Sequence, residues 1–302
     1  MAGTVVFAIA LTGCATSPSA TGSASRSGSR AVITLVAAEN FWGSIAAQLG
    51  GTHVAVTSII DRPDADPHAY EPTTADARAI ATADVVLVNG LGYDSWASKS
   101  AAANADPART VITVGEVIGA KDGDNPHRWY NPGDVAKVAD ALTTVYKRHD
   151  PQDAVDLDTL RATFDTTNLA DYHAAIADIK AHYAGTRIGA SESIVAMIAP
   201  ALGLNLITPP GFMNAISEGI DPTAEDKVTA DSQISGHLIK VFLFNSQNAT
   251  PDVTRQVEAA KAAGISVASV TETLVPSNAS WEQWQTAQLL VLRDALAMAA
   301  TR

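Results

Sequence analysis

Four residues in this 302-residue chain pair donor chemistry with positions that could present it. His68 lies in "DADPHAYEPTTAD", residues 64–76, directly after Pro67 and shortly before Glu71 and Pro72. Proline fixes its own φ and restricts the residue before it, so this imidazole is expected in a stiff, non-helical turn. His127 repeats the arrangement in "DNPHRWYNP", directly after Pro126. Glu192 lies in "IGASES" and Glu272 in "VASVTETL". Successive members stand roughly sixty to eighty residues apart, far beyond the spacing of a finger-type metal site, so only a tertiary fold could gather them. Two neutral imidazoles and two carboxylates supply two negative charges, which a divalent cation cancels, and that makes burial of the whole set tolerable. Nitrogen and oxygen donors without a thiolate suit zinc, manganese or iron(II).

The elements around these residues alternate. "AVITLVAA", "HVAVTSII", "DVVLVNG" and "TVITVG" read as short apolar strands. Between them "FWGSIAAQLGG" and "TTADARAIATA" have helical spacing, the first stopped by Gly50 and Gly51, the second capped by Thr73 or Thr74. From Pro132 to about Ala184 only helical patterning remains, punctuated at Asp150–Pro151. The alternation then resumes with strands at "RIGAS", "LNLITP", "IKVFLFN" and "ISVASVT", and the chain closes on a helix from Trp281 to Ala300. Short apolar strands separated by helices predict an α/β fold with parallel sheets. We therefore expect two α/β lobes, residues 32–148 and 186–302, joined by a connecting helix over 149–185. Open parallel sheets bind ligands at the carboxyl ends of their strands, so the cleft between two such lobes is the expected site. All four candidates follow strands and project toward it, two from each lobe.

In combination, "DPHAYEPT", "NPHRWYNP", the "SES" turn and "VTET" followed by "SWEQWQTAQL" resemble the metal-binding solute-receptor lipoproteins of zinc and manganese ABC importers. "AENFWGSIAAQLGG", "NGLGYDSW" and "FNSQ" extend the resemblance to essentially residues 32–300. It implies two pseudo-symmetric lobes joined by one long rigid helix, with the metal between them. It also implies that His68 and His127 are the two histidine ligands. Glu192 would stand at a third position that is histidine or glutamate, and Glu272 at a carboxylate position more often held by aspartate. Zinc-specific members often carry a third histidine and a charged, His-rich loop. The glutamate at 192 and the lack of that loop lean toward manganese, although zinc binds such sites more tightly in any case. The implied function is extracytoplasmic capture of Mn²⁺ or Zn²⁺ for an ABC permease, by a monomer, without covalent chemistry. Protonation of the histidines at roughly pH 6 would weaken binding and assist release.

Composition sets the outer bounds. The chain is 47% hydrophobic and 17% charged, ample for a core, and its formal net charge of −12 disfavours nucleic acid and anionic lipid as partners. Its single cysteine, Cys14, excludes an intramolecular disulfide. It follows the apolar run "VVFAIAL" within "LTGC", a lipobox-like pattern over residues 1–14, although no Lys or Arg precedes it. That gap is expected from a start further upstream or a weak signal. Residues 15–31, rich in Ser, Gly and Ala, read as a flexible tether reaching about 20 Å, so attachment to the membrane would be by lipid alone.

Two rival functions fit the sequence less well. "HAYEP" approaches the H-x-x-E-H metallopeptidase pattern, but Pro72 replaces the second histidine and forbids the required helix. Four protein ligands would also leave no open position for an activated water. A surface adhesin with a structural metal is the other alternative. His173 and His182 fall on opposite faces of a helix and cannot share an ion. His53, His149 and His237 are assigned no chemistry. Trp129 and Tyr130 are expected to wall the site or pack in the cleft, and Trp42, Trp96, Trp281 and Trp284 to fill cores or the lobe interface.

Overall fold

A computed structural model of the chain describes residues 1–4, 32–62 and 70–301. The chain divides into two units, residues 1–31 and 32–302. Of the first, residues 1–4 are described and have no regular structure. The lipobox cysteine Cys14, the tether and His68 lie outside the described residues.

The second unit carries two four-stranded sheets, both entirely parallel. The first comprises β1 (Ile33–Glu39), β2 (Val54–Ile60), β3 (Val85–Val88) and β4 (Thr110–Thr113), in the order β2-β1-β3-β4. The second comprises β5 (Arg187–Ala190), β6 (Asn205–Leu206), β7 (Val241–Asn245) and β8 (Ser266–Val270), in the order β6-β5-β7-β8. The winding is the same in both, so the chain builds one topology twice. Helices cover both faces, which is why "VVLV" of β3 is buried at every position rather than at alternate ones.

In the first lobe the helices are α1 (Asn40–Gly50), α2 (Thr74–Thr82), α3 (Ser95–Ala103) and the short α4 (Val114–Ile118). Thr73 caps α2 in a reciprocal box with Asp76. Then come α5 (Pro132–His149), α6 (Ala154–Thr163) and α7 (Ala170–Tyr183). The second lobe holds α8 (Ile194–Leu202), α9 (Pro210–Ser217), α10 (Ala224–Ser235), α11 (Pro251–Ala262) and α12 (Trp281–Ala300).

Three local features differ from the sequence reading. The strand expected over "TVITVG" ends at Thr113, because Val114 and Gly115 already belong to α4. "LNLITP" contributes only Asn205–Leu206, since side chains take over the pairing beyond it. Ala190 N–H donates to Thr208 Oγ1 at 3.0 Å, and Gln233 Nε2 donates to the Ile207 carbonyl at 2.7 Å. The helical path after α5 is not one uninterrupted rod. A 3-10 turn at Pro151–Asp153 precedes α6, and a π turn, Phe164–Asn168, separates α6 from α7. Leu169 N–H reaches the Phe164 carbonyl, five residues back, at 3.0 Å. "TTN" is a weak helix former, and Thr166 Oγ1 bonds back to the Ala162 carbonyl at 2.8 Å, so the wider turn is tolerated there.

The lobes are stitched together behind the cleft. Helix α12 packs on α7 and β8 and also touches α1. Trp281 N–H donates to Ser44 Oγ at 2.9 Å. Gln48 of α1 donates to Glu282 Oε2 at 2.8 Å and accepts from Asn168 Nδ2, in the π turn, at 2.7 Å. One glutamine thus ties the first lobe, the connecting segment and the last helix.

Candidate metal centre

The second lobe brings its polar groups from three adjacent strands. β5, β7 and β8 end beside one another and lead into Glu192, Asn245 and Glu272 respectively. Asn245 Nδ2 donates to Glu192 Oε2 at 3.1 Å and to Glu272 Oε2 at 3.3 Å. Its Oδ1 accepts from Gln247 N–H at 2.9 Å, which sets the amide orientation. Gln247 Oε1 in turn accepts from the Glu272 N–H at 2.7 Å, holding the backbone that carries the carboxylate.

The first lobe supplies His127 from the loop beyond β4, at the entrance to a 3-10 turn, Arg128–Tyr130. The imidazole is fully buried. Its Nδ1 lies 2.8 Å from Asn125 Oδ1, and its Nε2 lies 3.4 Å from Glu272 Oε1. Tyr93, after β3, donates its hydroxyl to the same Glu272 oxygen at 3.0 Å. Ligand-capable atoms of His127, Glu192 and Glu272 all fall within 4.8 Å of one another. Two carboxylates and an imidazole gathered in so little space repel unless a positive charge joins them, and a divalent cation suits that charge count. Three of the four sequence candidates therefore converge. The fourth, His68, lies outside the described residues.

Aromatic rings close the inner wall. Phe41 stacks on Trp129 with centroids 3.8 Å apart, and the Trp129 ring meets His127 edge-on at 5.3 Å. Tyr130 donates its hydroxyl to the Thr271 carbonyl at 2.7 Å, next to Glu272 in the other lobe. Trp129 and Tyr130 are thus wall and bridge at once. Trp42, Trp281 and Trp284 are buried, while Trp96 is half-buried against the smaller cluster outside the first sheet.

Sequence reasoning missed a second acidic group behind the site. Glu39, the last residue of β1, is fully buried, and neither of its carboxyl oxygens meets a hydrogen-bond donor among the described residues. Burial first, then the nearby Asp94 and Glu272, push its pKa well above the carboxylate range. Asp94 is raised too, chiefly by burial, against the opposing pull of the Asn89 and Gly90 N–H groups at 2.6 and 2.8 Å. Burial thus disfavours the charged form of both carboxyls, and more strongly that of Glu39. The available signal was one carboxylate closing an otherwise apolar strand in "LVAAENF". Asn125, Tyr93 and Asn245 were also missed, because amides and phenols carry no spacing signature. Elsewhere, His53 pairs with Asp153 at 2.6 Å and His149 meets Thr110 Oγ1 at 3.2 Å, both on the side of the first lobe away from the strand carboxyl ends.

Two like-wound α/β lobes, with a nitrogen-and-oxygen cluster drawn from both, define a two-lobed α/β fold with a candidate metal site in its cleft. Comparison with known proteins agrees. The family described as "Zinc-uptake complex component A periplasmic" matches residues 35–295, and the chain belongs to it. Among relatives, the manganese-binding lipoprotein MntA of Halalkalibacterium halodurans is 29% identical over 127 residues, 40% of this chain and 41% of that protein. MntA of Bacillus subtilis is 30% identical over 165 residues, 51% of this chain and 50% of the relative. These matches span half or less of the relatives' own length. A solved structure, the Mn-bound periplasmic metal binding protein from Candidatus Liberibacter asiaticus, superposes with a TM-score of 0.73 at 19% identity. That superposition covers 87% of this chain and 99% of the other. The fold is the same.

Proposed function

We propose that this protein is an extracytoplasmic receptor that captures a divalent transition-metal ion, Mn²⁺ or Zn²⁺, for an ABC-type importer. The observation that carries this reading is the buried convergence of His127, Glu192 and Glu272 from opposite lobes, within 4.8 Å at their ligand-capable atoms. In this reading those three and His68 are the ligands. Family membership supports it, as do the manganese-binding names of the MntA relatives and the iron-binding name of YfeA from Yersinia pestis. The lobes are residues 32–148 and 186–302, the connector is 149–185, and Cys14 is the lipid-bearing residue that anchors the chain outside the cytoplasm. The protein is not an enzyme in this reading, since four protein ligands leave a tetrahedral ion no position for an activated water.

The test is to strip the full chain of metal and titrate it with Mn²⁺ and Zn²⁺ while thermal unfolding is followed. Free ion at about a thousand times its Kd is expected to add about 4 kcal/mol, and His127→Ala to abolish the gain. No stabilisation by either ion would refute the reading.

A further inference from the structure

We propose that Asn125 is a positioning residue that makes the metal-binding tautomer of His127 depend on contact between the lobes. The inference rests on His127 being a ligand. A neutral imidazole carries one proton, and a metal can be taken by Nε2 only when that proton is on Nδ1.

Among the described residues, two oxygen neighbours of Nδ1 ask for opposite proton positions. Asn125 Oδ1, at 2.8 Å, can only accept, so it requires Nδ1–H and turns the Nε2 lone pair toward Glu272. Ser193 Oγ, at 3.3 Å and from the other lobe, can also donate. If it did, the proton would move to Nε2 and block the ligating atom. The shorter contact favours Asn125. The Ser193 hydroxyl has a further partner in Ser217 Oγ at 3.0 Å, which relieves it of the need to donate to the ring.

The Asn125 amide cannot turn over in this arrangement. Its Oδ1 also accepts from the His127 backbone N–H at 3.0 Å. Its Nδ2 donates to the Ser193 carbonyl at 2.7 Å. A flipped amide would set nitrogen against both N–H groups and oxygen against a carbonyl, losing all three bonds. The bond that crosses the cleft is the one to Ser193, directly beside Glu192. Moving the lobes apart breaks it and leaves the amide held only by its two Oδ1 contacts to His127, one of three bonds that oppose a flip being lost. Lobe separation thereby weakens the hold on the His127 tautomer as well as the proximity of the ligands.

Three variants of the full chain separate the parts of this proposal. Asn125→Ala removes both roles. Asn125→Asp keeps an oxygen for the two His127 N–H groups but loses the donor to Ser193. Ser193→Ala removes only the rival hydroxyl. The tautomer of His127 is read from imidazole ¹⁵N shifts of the metal-free protein, and Zn²⁺ release from transfer to a chelating dye. Asn125→Ala is expected to mix the tautomers and speed release by roughly 10–100-fold, the usual cost of losing a group that supports a ligand. Asn125→Asp is expected to keep Nδ1–H and still release faster than the parent. Its added negative charge would by itself slow release, so a faster rate has to come from the lost bridge. Ser193→Ala is expected to change neither readout.

Parent-like tautomer and release in Asn125→Ala would overturn the proposal. Release at the parent rate in Asn125→Asp would overturn the link to lobe contact. If the parent chain bound no Zn²⁺ or Mn²⁺ at all, the receptor reading would fail instead, while the metal-free spectra would still report whether Asn125 sets the tautomer.

Discussion

At the scale of single residues, the site is a set of acceptors that face one another. The Nε2 of a His127 protonated at Nδ1 looks onto a Glu272 oxygen 3.4 Å away, and one Asn245 amide serves two carboxylates. Removing the imidazole should therefore cost more than removing a supporting group. His127→Ala is expected to weaken Mn²⁺ or Zn²⁺ affinity by more than roughly 100-fold in calorimetric titration. Glu39 allows a prediction independent of metal. Its pKa in the folded chain is raised, so between the ordinary carboxylate value and that raised value the folded state holds a proton that the unfolded state does not. Stability from this group is therefore present at low pH and falls as pH rises through that window. Glu39→Gln has the shape of the neutral acid and cannot ionise. Metal-free Glu39→Gln is expected to show a higher urea midpoint than the parent at about pH 8, and no gain at about pH 4. A lower midpoint at both pH values would mean that the buried acid is not held neutral.

At the scale of elements, strands deliver the groups and the turns after them aim them. The turn after β3 runs through three successive left-handed residues, Gly90, Leu91 and Gly92, with φ of 73°, 57° and 83°. It carries Tyr93 to Glu272. A Cβ on Gly90 would lie 2.7 Å from Thr113 Cγ2, on top of its left-handed φ. Gly90→Ala is expected to destabilise by more than about 1 kcal/mol in denaturant unfolding and to weaken metal binding together with it. The stacked Phe41 and Trp129 join α1 to the His127 turn. Trp129→Ala is expected to cost about 3–5 kcal/mol by leaving a cavity beside His127. Most of this scaffold was legible, because buried parallel strands are continuous apolar runs and "GG" and "TT" mark helix ends. The π turn at Phe164–Asn168 was not, since a single widened turn leaves the apolar spacing almost unchanged. Helices α9 and α10 also passed unread, the first being short and the second weakly patterned.

At the scale of the whole molecule, a formal net charge of −12 acts on whatever approaches it. Cations are drawn in by a field that salt screens over about 10 Å at moderate ionic strength. The association rate of Mn²⁺ is expected to fall several-fold between about 0.02 and 0.5 M salt, as followed by stopped-flow fluorescence. The dissociation rate, if set by the buried donors, is expected to change much less. Among the described residues no helix is long and apolar enough to cross a membrane.

The amino-acid sequence by itself determined the kind of donor, the parallel α/β class and the cleft as the place to look. Donor chemistry belongs to single side chains, and strand periodicity is local, so both are written along the chain. Only the tertiary structure decided that β5, β7 and β8 set Glu192, Asn245 and Glu272 side by side, that Asn125 reaches across to Ser193, and that Glu39 is fully buried near Asp94 and Glu272. Those facts depend on strand order and on the meeting of two lobes. No spacing along the sequence encodes which residues, distant in the chain, will share a dry space and so change each other's charge.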